Sequence, residues 1–309
     1  MKVLIAYDGS DCANAALADL RWAGLPGNVE AAVISVVESW LLLPTSEAYR
    51  APTGTAAQQI ASAEEAHPAS ALEAAYAQAQ RACERLQHLF PAWQAHAEAS
   101  AGSPASTILS RADEWQPDLL VVGSHGHTAL GRFFLGSVSQ KVVTEAHCSV
   151  RVGRGQVERN EAPARIVIGV DGSPGAEAAV QAVASRAWPQ GGEAPIVIAV
   201  DPLRQTTVTH AELLMRVHEL QQQMTERVRK ITAEASEKLR AAGLLVSSAV
   251  REGDPRHILT NDAEDWKADC IFVGARGLSR LERFWLGSVS TAIVARAHCS
   301  VEVVRARTK

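Results

Sequence analysis

One glycine-rich pattern occurs twice in this sequence, and its repetition limits the choice of fold more than any other feature. GSHGHTALGRFFLGSV (residues 123–138) and GARGLSRLERFWLGSV (residues 274–289) each contain Gly-x-x-Gly, nine further residues and Gly-Ser. The two copies are offset by 151 residues (274 minus 123), and the same offset relates the AHCSV segments that follow them. Such agreement indicates an internal duplication, so the chain should contain two copies of one structural unit.

Each copy lies between an apolar run that indicates a strand and an amphipathic run that indicates a helix. Glycines at the end of a strand let main-chain N–H groups approach a phosphate, because no Cβ is in the way. The first N–H groups of the following helix are unpaired and carry the positive end of its dipole, so they also favour an anion. Ser137 and Ser288 could either cap this helix or donate a hydroxyl to the phosphate. An ordinary strand–helix turn with a serine cap is the alternative, and the repetition favours the anion site.

Composition excludes several classes of protein. The chain has 309 residues, which is enough for two domains with a core each. Its formal net charge is −4 without a basic stripe, so no nucleic-acid partner is expected. No apolar run approaches the roughly 20 residues of a membrane helix, and the apolar N-terminus leads into a turn, so we expect a strand there rather than a signal peptide. The five cysteines form no C-x-x-C pair, which is typical of reduced thiols, and we expect a cytoplasmic protein.

The order of apolar and amphipathic segments predicts the architecture. Strands alternate with helices, and the strands are almost uniformly apolar, which favours a parallel sheet with helices on both faces. We therefore predict an α/β fold of two tandem doubly wound domains, each with a five-stranded parallel sheet in the order 3-2-1-4-5. The first domain is expected at residues 1–153 and the second at residues 165–309, with a polar linker at residues 154–164. A segment rich in Pro, Gly, Ser and Thr, within residues 38–67, is interpreted as a mobile loop specific to the first half.

The strands are predicted from short apolar runs. They lie at residues 2–7, 29–37, 93–99, 118–122 and 148–152 in the first half, and at residues 165–170, 195–200, 244–251, 270–273 and 300–304 in the second. The last strand of each half would have an open edge, whose N–H and C=O groups tend to find partners. We expect these two strands to pair with each other in antiparallel orientation, which would make one chain a pseudo-dimer. Further association of two chains into a homodimer is left open.

The first strand of each half ends in Asp-Gly-Ser, at Asp8 and Asp171. In the order 3-2-1-4-5 strands one and four are neighbours, and parallel strands end at the same edge of the sheet. Each aspartate should therefore face a glycine loop across the crevice where ligands of such sheets bind. The alternative role is a turn-forming side chain, but a carboxylate in this crevice also suits the hydroxyl and amine groups of a ribose or an adenine.

These segments together resemble a known family. VLIAYDGS with VVGSHGHTALGRFFLGSVSQKVV and AHCSV, and IVIGVDGS with FVGARGLSRLERFWLGSVSTAIV and AHCSV, are similar to two universal stress protein domains in tandem. The resemblance covers nearly the whole chain, apart from the linker and the 38–67 segment. ATP-binding members of the family carry Gly-x-x-Gly, nine residues and Gly-Ser or Gly-Thr, so the resemblance implies ATP, together with Mg²⁺, in each half. The family often has proline where Ser149 and Ser300 stand, which concerns the geometry of the last strands and not the nucleotide site.

The resemblance also implies which residues would contact ATP. The aspartate would hold the adenosine end, main chain at the end of the second strand would border the adenine, and the glycine loop with the next helix would wrap the ribose and phosphates. In the first half the residues are Asp8, Val37, Gly123, Gly126, Gly136, Ser137 and Val138. In the second half they are Asp171, Val200, Gly274, Gly277, Gly287, Ser288 and Val289. Two further candidates follow from side-chain chemistry and not from the resemblance: His125 could contact phosphate, and Arg276 could pair with phosphate oxygens or be a solvated surface side chain.

One position in the glycine loop differs chemically between the copies. His125 could contact phosphate or transfer a proton, but its counterpart is Arg276, so chemistry common to both halves cannot need an imidazole. No catalytic residue is therefore predicted. The His-Cys pairs of the two AHCSV segments suggest a metal, yet two ligands without a third make a poor zinc site, and no metal site is predicted.

Three functions are compatible with these features. The first is a stress-response regulator in which bound ATP acts as a sensor or switch that sets conformation or the choice of a protein partner, which the sequence does not identify. The second is a slow ATPase. Against it, strand one is not followed by the Ser-Gly-Gly-x-Asp-Ser type loop of related ATP-cleaving folds, no lysine follows the glycines, and no shared carboxylate is placed to activate water. The third is a scaffold with structurally bound nucleotide. The regulator is the favoured hypothesis.

Overall fold

A computed structural model of the chain describes residues 1–38, 68–126, 135–154, 163–200, 211–277 and 286–306. Most of the 38–67 segment and of the 154–164 linker lies outside these residues, as do the central parts of both glycine loops. Within the part of the chain that is described, no helix combines the length and the apolar character needed to cross a membrane.

Strands and helices alternate in both halves, as the sequence predicts. The first half contains β1 (Lys2–Ala6), α1 (Asp11–Asp19) with a short 3-10 turn (Leu20–Trp22), β2 (Glu30–Glu38), α2 (Pro68–Leu89), β3 (Gln94–Gly102), α3 (Pro104–Trp115), β4 (Leu119–Gly123), α4 (Ser137–Glu145) and β5 (Ser149–Gly153). The second half contains β6 (Ile166–Gly169), α5 (Pro174–Ala184), β7 (Ile196–Val200), α6 (Ala211–Ala241), β8 (Ser248–Glu252), α7 (Pro255–Asp265), β9 (Cys270–Gly274), α8 (Ser288–Arg296) and β10 (Ser300–Val304).

The described strands form one sheet in the order β3-β2-β1-β4-β5-β10-β9-β6-β7-β8. Neighbouring strands are parallel within each half. The predicted order 3-2-1-4-5 is therefore confirmed in both halves, and so is the α/β fold class. The halves meet where β5 and β10 pair antiparallel, with Arg151 opposite Glu302. The predicted pairing of the last strands within one chain is confirmed as well.

Helices cover both faces of the sheet, which explains why its central strands are mostly apolar, whereas the outer strands β3 and β8 carry polar side chains and are more exposed. Along β1, Val3 and Ile5 pack in a hydrophobic cluster with α1 and α2, whereas Leu4 packs in a different cluster. All three side chains are at most 1% exposed. The cluster of Leu4 continues through both halves and includes Val150 of β5 and Val301 of β10. Burying an aliphatic side chain contributes roughly 1.5–3 kcal/mol, so a shared core helps to hold the two halves together.

The third strand of the second half is shorter than predicted. The sequence predicted residues 244–251, but β8 begins at Ser248. Gly243 has a left-handed φ of +83°, which ends the preceding helix, and Leu244 packs into the core cluster of α5 and α6. Leu245 is 62% exposed and forms only an isolated bridge. The first part of the apolar run thus belongs to the connection after a helix.

Ser149 and Ser300, which stand where the family that the sequence resembles often has proline, form hydrogen bonds between the two halves. The hydroxyl of Ser149 accepts the main-chain N–H of Arg305 at 3.1 Å, and the hydroxyl of Ser300 accepts that of Arg154 at 2.9 Å. Each serine belongs to one half and each arginine to the other. Proline has no hydroxyl, so these two bonds depend on the substitution.

The same two arginines also bind the last helix of the opposite half. Nη2 of Arg305 donates to the main-chain oxygen of Val143 in α4, and Nη2 of Arg154 donates to that of Val294 in α8, both at 2.7 Å. The last carbonyls of a helix receive no hydrogen bond from an N–H group of the same helix, and a cation is favoured at the negative end of the helix dipole. The junction is therefore clamped twice by equivalent contacts.

Replacing Arg305 with alanine should weaken the junction, because its guanidinium donates to the carbonyls of Val143 and Thr144. Hydrogen bonds to charged groups contribute about 1.5–3 kcal/mol, and we expect the free energy of unfolding, measured in urea by circular dichroism, to fall by that amount. Arg251→Ala is the matched control. Arg251 forms an exposed ion pair with Asp262, and its loss should change the free energy by less than about 0.5 kcal/mol. Equal decreases in the free energy of unfolding for the two substitutions would contradict a stabilising role of the Arg305 hydrogen bonds at the junction.

Candidate functional site

The aspartates and the glycine loops meet at the carboxyl ends of the strands, as the predicted topology requires. Asp8 follows β1 and Gly123 ends β4, and these strands are parallel neighbours. Asp171 and Gly274 have the same relation at the ends of β6 and β9. Each half therefore has a crevice of the same construction, to which an aspartate and a glycine loop contribute.

One oxygen of each aspartate forms a turn. Oδ1 of Asp8 accepts the main-chain N–H of Ser10 at 3.0 Å, and Oδ1 of Asp171 accepts that of Ser173 at 2.9 Å. Both serines then cap the next helix by accepting an N–H from its first turn. The turn-forming role that the sequence left as an alternative is thus present, and it fixes the orientation of each carboxylate.

The other oxygen of each aspartate lies at the glycine loop. A Cβ built on Gly126 would lie 2.7 Å from Oδ2 of Asp8, and a Cβ on Gly277 would lie 2.7 Å from Oδ2 of Asp171. Such a carbon would be too close to the oxygen, so any other residue would displace the carboxylate from this position. Glycine therefore allows the close approach, and each carboxylate fills the turn-forming role and the crevice-facing role at once.

Each glycine loop is closed at its base by a main-chain hydrogen bond. The N–H of Gly136 donates to the oxygen of Ser124, and the N–H of Gly287 donates to the oxygen of Ala275, both at 2.8 Å. This bond brings the start of the helix back to the end of the strand. The exit of the loop is consequently held beside its entry in both halves.

A second bond at the base of the loop involves two serines that sequence reasoning missed. Ser139 Oγ donates to the main-chain oxygen of Gly123, and Ser290 Oγ donates to that of Gly274, both at 2.7 Å. Both serines are buried. A signal was present in the sequence, because the segment Gly-Ser-Val-Ser is repeated in full with the same offset.

The structure corrects one proposed role of Ser137 and Ser288. Gly136 and Gly287 are the N-cap residues, and the two serines are the first residues inside α4 and α8. Neither serine therefore caps its helix, because the hydrogen bond that closes the loop starts the helix one residue earlier than expected. Both serines are exposed, and the main-chain N–H groups of this first turn have no acceptor within the helix. Hydroxyl and N–H groups are thus available together at each helix N-terminus.

The valines of the predicted site offer main chain rather than side chain. The side chains of Val138 and Val289 pack against the core, which leaves their N–H groups in the first turn of α4 and α8. Val37 lies one residue before the end of β2, and Val200 ends β7. Both positions are at the edge of the sheet that carries the aspartates.

His125 makes contacts in the first half that the second half cannot make. Its Nε2 lies 3.1 Å from Sγ of Cys12, and its Nδ1 lies 3.1 Å from Oγ of Ser124. Gly175 stands at the position that matches Cys12, and a Cβ there would lie 2.2 Å from the main-chain oxygen of Arg276. The side chain of Arg276 is exposed. The two crevices therefore share the hydrogen bond that closes the loop, but in the second half the loop main chain lies closer to the start of α5, and the side chains around the loop differ.

A cavity of about 660 Å³ opens at the second crevice. Four residues of the predicted second site line it, namely Asp171, Val200, Ser288 and Val289. The cavity is also lined by side chains of α6, which supplies an apolar wall. The carboxylate, the end of the second strand and the helix start are thus parts of one concave site.

Two arginines of this cavity were not identified from the sequence. Arg227 of α6 and Arg256 of α7 both line it. Hydrogen bonds from Arg256 lower the pKa of Asp254 to about 2, so this carboxylate stays charged and paired. Neither arginine is part of a repeated pattern, and Ala105 stands at the position that matches Arg256 (256 minus 151). The sequence therefore contained no signal that would place them at the site.

The histidines of the AHCSV segments each pair with a carboxylate. Nδ1 of His147 lies 2.8 Å from Oδ1 of Asp113, and Nε2 of His298 lies 3.1 Å from Oε2 of Glu264. These contacts connect the segment before each last strand to α3 or α7, as expected of structural histidines. Across the ranges that the structure describes, no three His, Cys, Asp or Glu side chains are grouped so that they could hold a metal.

Comparisons with known proteins agree on one family. The family model for the universal stress protein family matches residues 1–154 and 164–305. A universal stress protein of Mycolicibacterium smegmatis is 25% identical over 320 residues, covering 99% of this chain and 97% of the relative. One of Methanocaldococcus jannaschii is 37% identical over 75 residues, 24% of this chain, so the match spans only 44% of that relative. The crystal structure of a universal stress protein from Archaeoglobus fulgidus, 19% identical, covers 98% of both chains with a TM-score of 0.64, which shows a shared fold.

Proposed function

The chain belongs to the universal stress protein family, and we propose that it is a stress-response regulator that binds one ATP in each half. Each site would consist of the aspartate, the end of the second strand, the glycine loop and the first turn of the following helix. ATP would be bound together with Mg²⁺. Occupancy of the two sites would act as a sensor or switch that sets the conformation of the chain or its choice of partner.

The observation that carries this proposal is the repeated approach of a carboxylate to a glycine loop. In both halves the aspartate oxygen lies 2.7 Å from the position of the missing Cβ, and the loop closes with a hydrogen bond of 2.8 Å. Each crevice thus offers an acceptor for hydroxyl groups beside donors for an anion. A nucleotide requires both, because it joins a ribose to phosphates.

The residues of each half would divide the recognition of ATP between them. Asp8 and Asp171 would accept hydrogen bonds from the ribose, and main chain at Val37 and Val200 would border the base. The exposed hydroxyls and N–H groups at the starts of α4 and α8 would bind the phosphates. In the second half, Arg227 would add positive charge beside the nucleoside.

Binding of this kind favours a sensor over an enzyme. Loop N–H groups and a helix N-terminus stabilise the ground-state triphosphate about as well as its transition state, and such uniform binding gives affinity without turnover. The carboxylate that both crevices share, Asp8 or Asp171, has one oxygen held in the Asp-Gly-Ser turn. Its other oxygen is the one assigned above to the ribose, and not to the activation of water. The alternatives are a slow ATPase and a scaffold. A scaffold would not exchange its nucleotide and would unfold when stripped of it.

Calorimetric titration of nucleotide-free protein with MgATP should give two sites per chain. Gly126→Val and Gly277→Val should each remove one site, because the new Cβ would displace Oδ2 of Asp8 or Asp171. Gly27→Val is the matched control, since no atom lies within 4 Å of a Cβ at Gly27, and it should keep both sites. A single site in the parent protein, or no loss in either loop variant, would contradict the proposal.

Bound MgATP should protect Cys12 from alkylation by iodoacetamide, because Sγ of Cys12 contacts His125 at the first crevice. Cys148 is the internal reference: it is partly exposed like Cys12 but precedes β5, at the opposite edge of the sheet. Burial raises the pKa of Cys83 to about 11 and of Cys299 to about 12, so these thiols should react slowly throughout.

Peptide mass spectrometry at pH 8 would follow the labelling of each cysteine separately. Slower labelling of Cys12 with an unchanged rate at Cys148 is the expected result. Equal protection of both cysteines would indicate general stabilisation. Unchanged labelling of Cys12 would argue against a ligand in the first crevice.

ATP turnover should lie far below the roughly 1–100 s⁻¹ typical of kinases, because the carboxylate that both crevices share is assigned to the ribose and has one oxygen held in the turn, and His125 has no imidazole counterpart in the second half. Any slow hydrolysis should come mostly from the first half. It should therefore fall in His125→Ala and persist in Gly277→Val, measured as single-turnover rates beside the parent protein. A parent rate above about 1 s⁻¹ would identify an enzyme instead of a sensor.

A further inference from the structure

Arg151 and Glu302 occupy the same position in the two copies and face each other where the halves join. They are 151 residues apart (302 minus 151), which is the offset of the duplication. In the antiparallel pairing of β5 with β10 they are opposite each other. A position that faces its own counterpart lies on the axis relating the two halves, so its side chains distinguish one pairing of halves from another.

The side chains of Arg151 and Glu302 are buried and form the centre of a row of four charged groups. Arg151 Nη1 donates to Glu302 Oε2 at 3.2 Å across the junction, and Arg151 Nε donates to Asp19 Oδ2 at 2.7 Å within the first half. Arg186 Nη1 donates to Glu302 Oε2 at 2.9 Å within the second half. Arg151 and Glu302 are 0% exposed, and Asp19 is 4% exposed. The side chain of Arg186 is 7% exposed, so two positive and two negative charges neutralise each other almost entirely out of contact with water.

The two outer charges of this row, Asp19 and Arg186, have no charged counterpart in the other half of the protein. The Asp-Gly-Ser turns are related by an offset of 163 residues (171 minus 8), so Ala182 matches Asp19 and Ala23 matches Arg186. Arg186 Nη1 donates to the main-chain oxygen of Ala23 at 2.7 Å across the junction. One half therefore has a small side chain where the other has a guanidinium, and the halves are complementary in shape as well as in charge.

We propose that these charges determine which halves can pair: β5 accepts the β10 strand of a second half and rejects another first half, and the converse holds for β10. In a pairing of two first halves, Arg151 would face Arg151. In a pairing of two second halves, Glu302 would face Glu302, and two Arg186 side chains would meet where one now contacts Ala23. Asp19 and Arg186 would remain beside Arg151 and Glu302 within their own halves, but each buried facing group would lose its opposite charge across the junction and meet a like charge instead, which costs free energy. Such a repulsive element gives an interface its specificity.

The serine–arginine bonds of the junction do not discriminate in this way. The bonds of Ser149 with Arg305 and of Ser300 with Arg154 are equivalent, so they would form in any pairing of two halves. Selection therefore depends on the charged positions. Because both halves belong to one chain, their effective concentration is high, and each half should find the opposite half of the same chain.

Complementary charge reversal tests this proposal in the full-length protein. Arg151→Glu places glutamate at both junction positions, and Glu302→Arg places arginine at both, so neither variant should close its own halves. Each alone should therefore have a larger hydrodynamic radius than the parent in size-exclusion chromatography with light scattering. In an equimolar mixture, the intact Arg151 of one chain and the intact Glu302 of the other restore the native pair. We expect a 1:1 heterodimer, identified by native mass spectrometry of chains with different tags.

Lys238→Glu is the control, because Lys238 and Glu177 form an exposed ion pair. This variant should keep the radius of the parent and form no mixed dimer. If a reversed variant aggregates alone, co-expression of both reversed chains should recover the soluble heterodimer. Parent-like radii for both reversed variants would overturn the proposal, as would mixing and co-expression that yield no heterodimer.

Discussion

The antiparallel pairing of β5 with β10 is the contact on which the rest of the architecture depends. It joins two five-stranded sheets into one and leaves neither last strand with an open edge. Main-chain hydrogen bonds would join any two such edges. The buried Arg151–Glu302 pair makes the pairing specific for one first half and one second half, because charges removed from water are tolerated only when each meets an opposite charge.

The two crevices arise from the same sheet geometry. Parallel neighbours end at one edge, so an Asp-Gly-Ser turn meets a glycine loop 115 residues further along the first half (123 minus 8). The aspartate connects them, with one oxygen in the turn and the other against Gly126. Under the proposed function this cradle would bind an anion and a hydroxyl equally well in the ground state and in the transition state, which is the physical basis for proposing a sensor.

Duplication within one chain lets each copy change separately. The first crevice has the Cys12–His125 contact, whereas the second has Gly175 and an exposed Arg276. Two copies in a homodimer would have to change together, because one sequence encodes both. The tandem chain can instead hold two sites of similar geometry and different chemistry, and it can carry opposite charges at one junction position.

The sequence by itself determined the duplication, the α/β class, the strand order and the meeting of aspartate with glycine loop, because these follow from local patterns and from the rules of parallel sheets. Only the tertiary structure decided that Ser137 begins its helix instead of capping it, since the bond of Gly136 to the distant strand end sets that start. The association of Arg151 with Asp19 and Arg186 with the opposite half was equally inaccessible. Such contacts join segments far apart in the chain, and no local periodicity or spacing encodes which distant side chains will share a buried site.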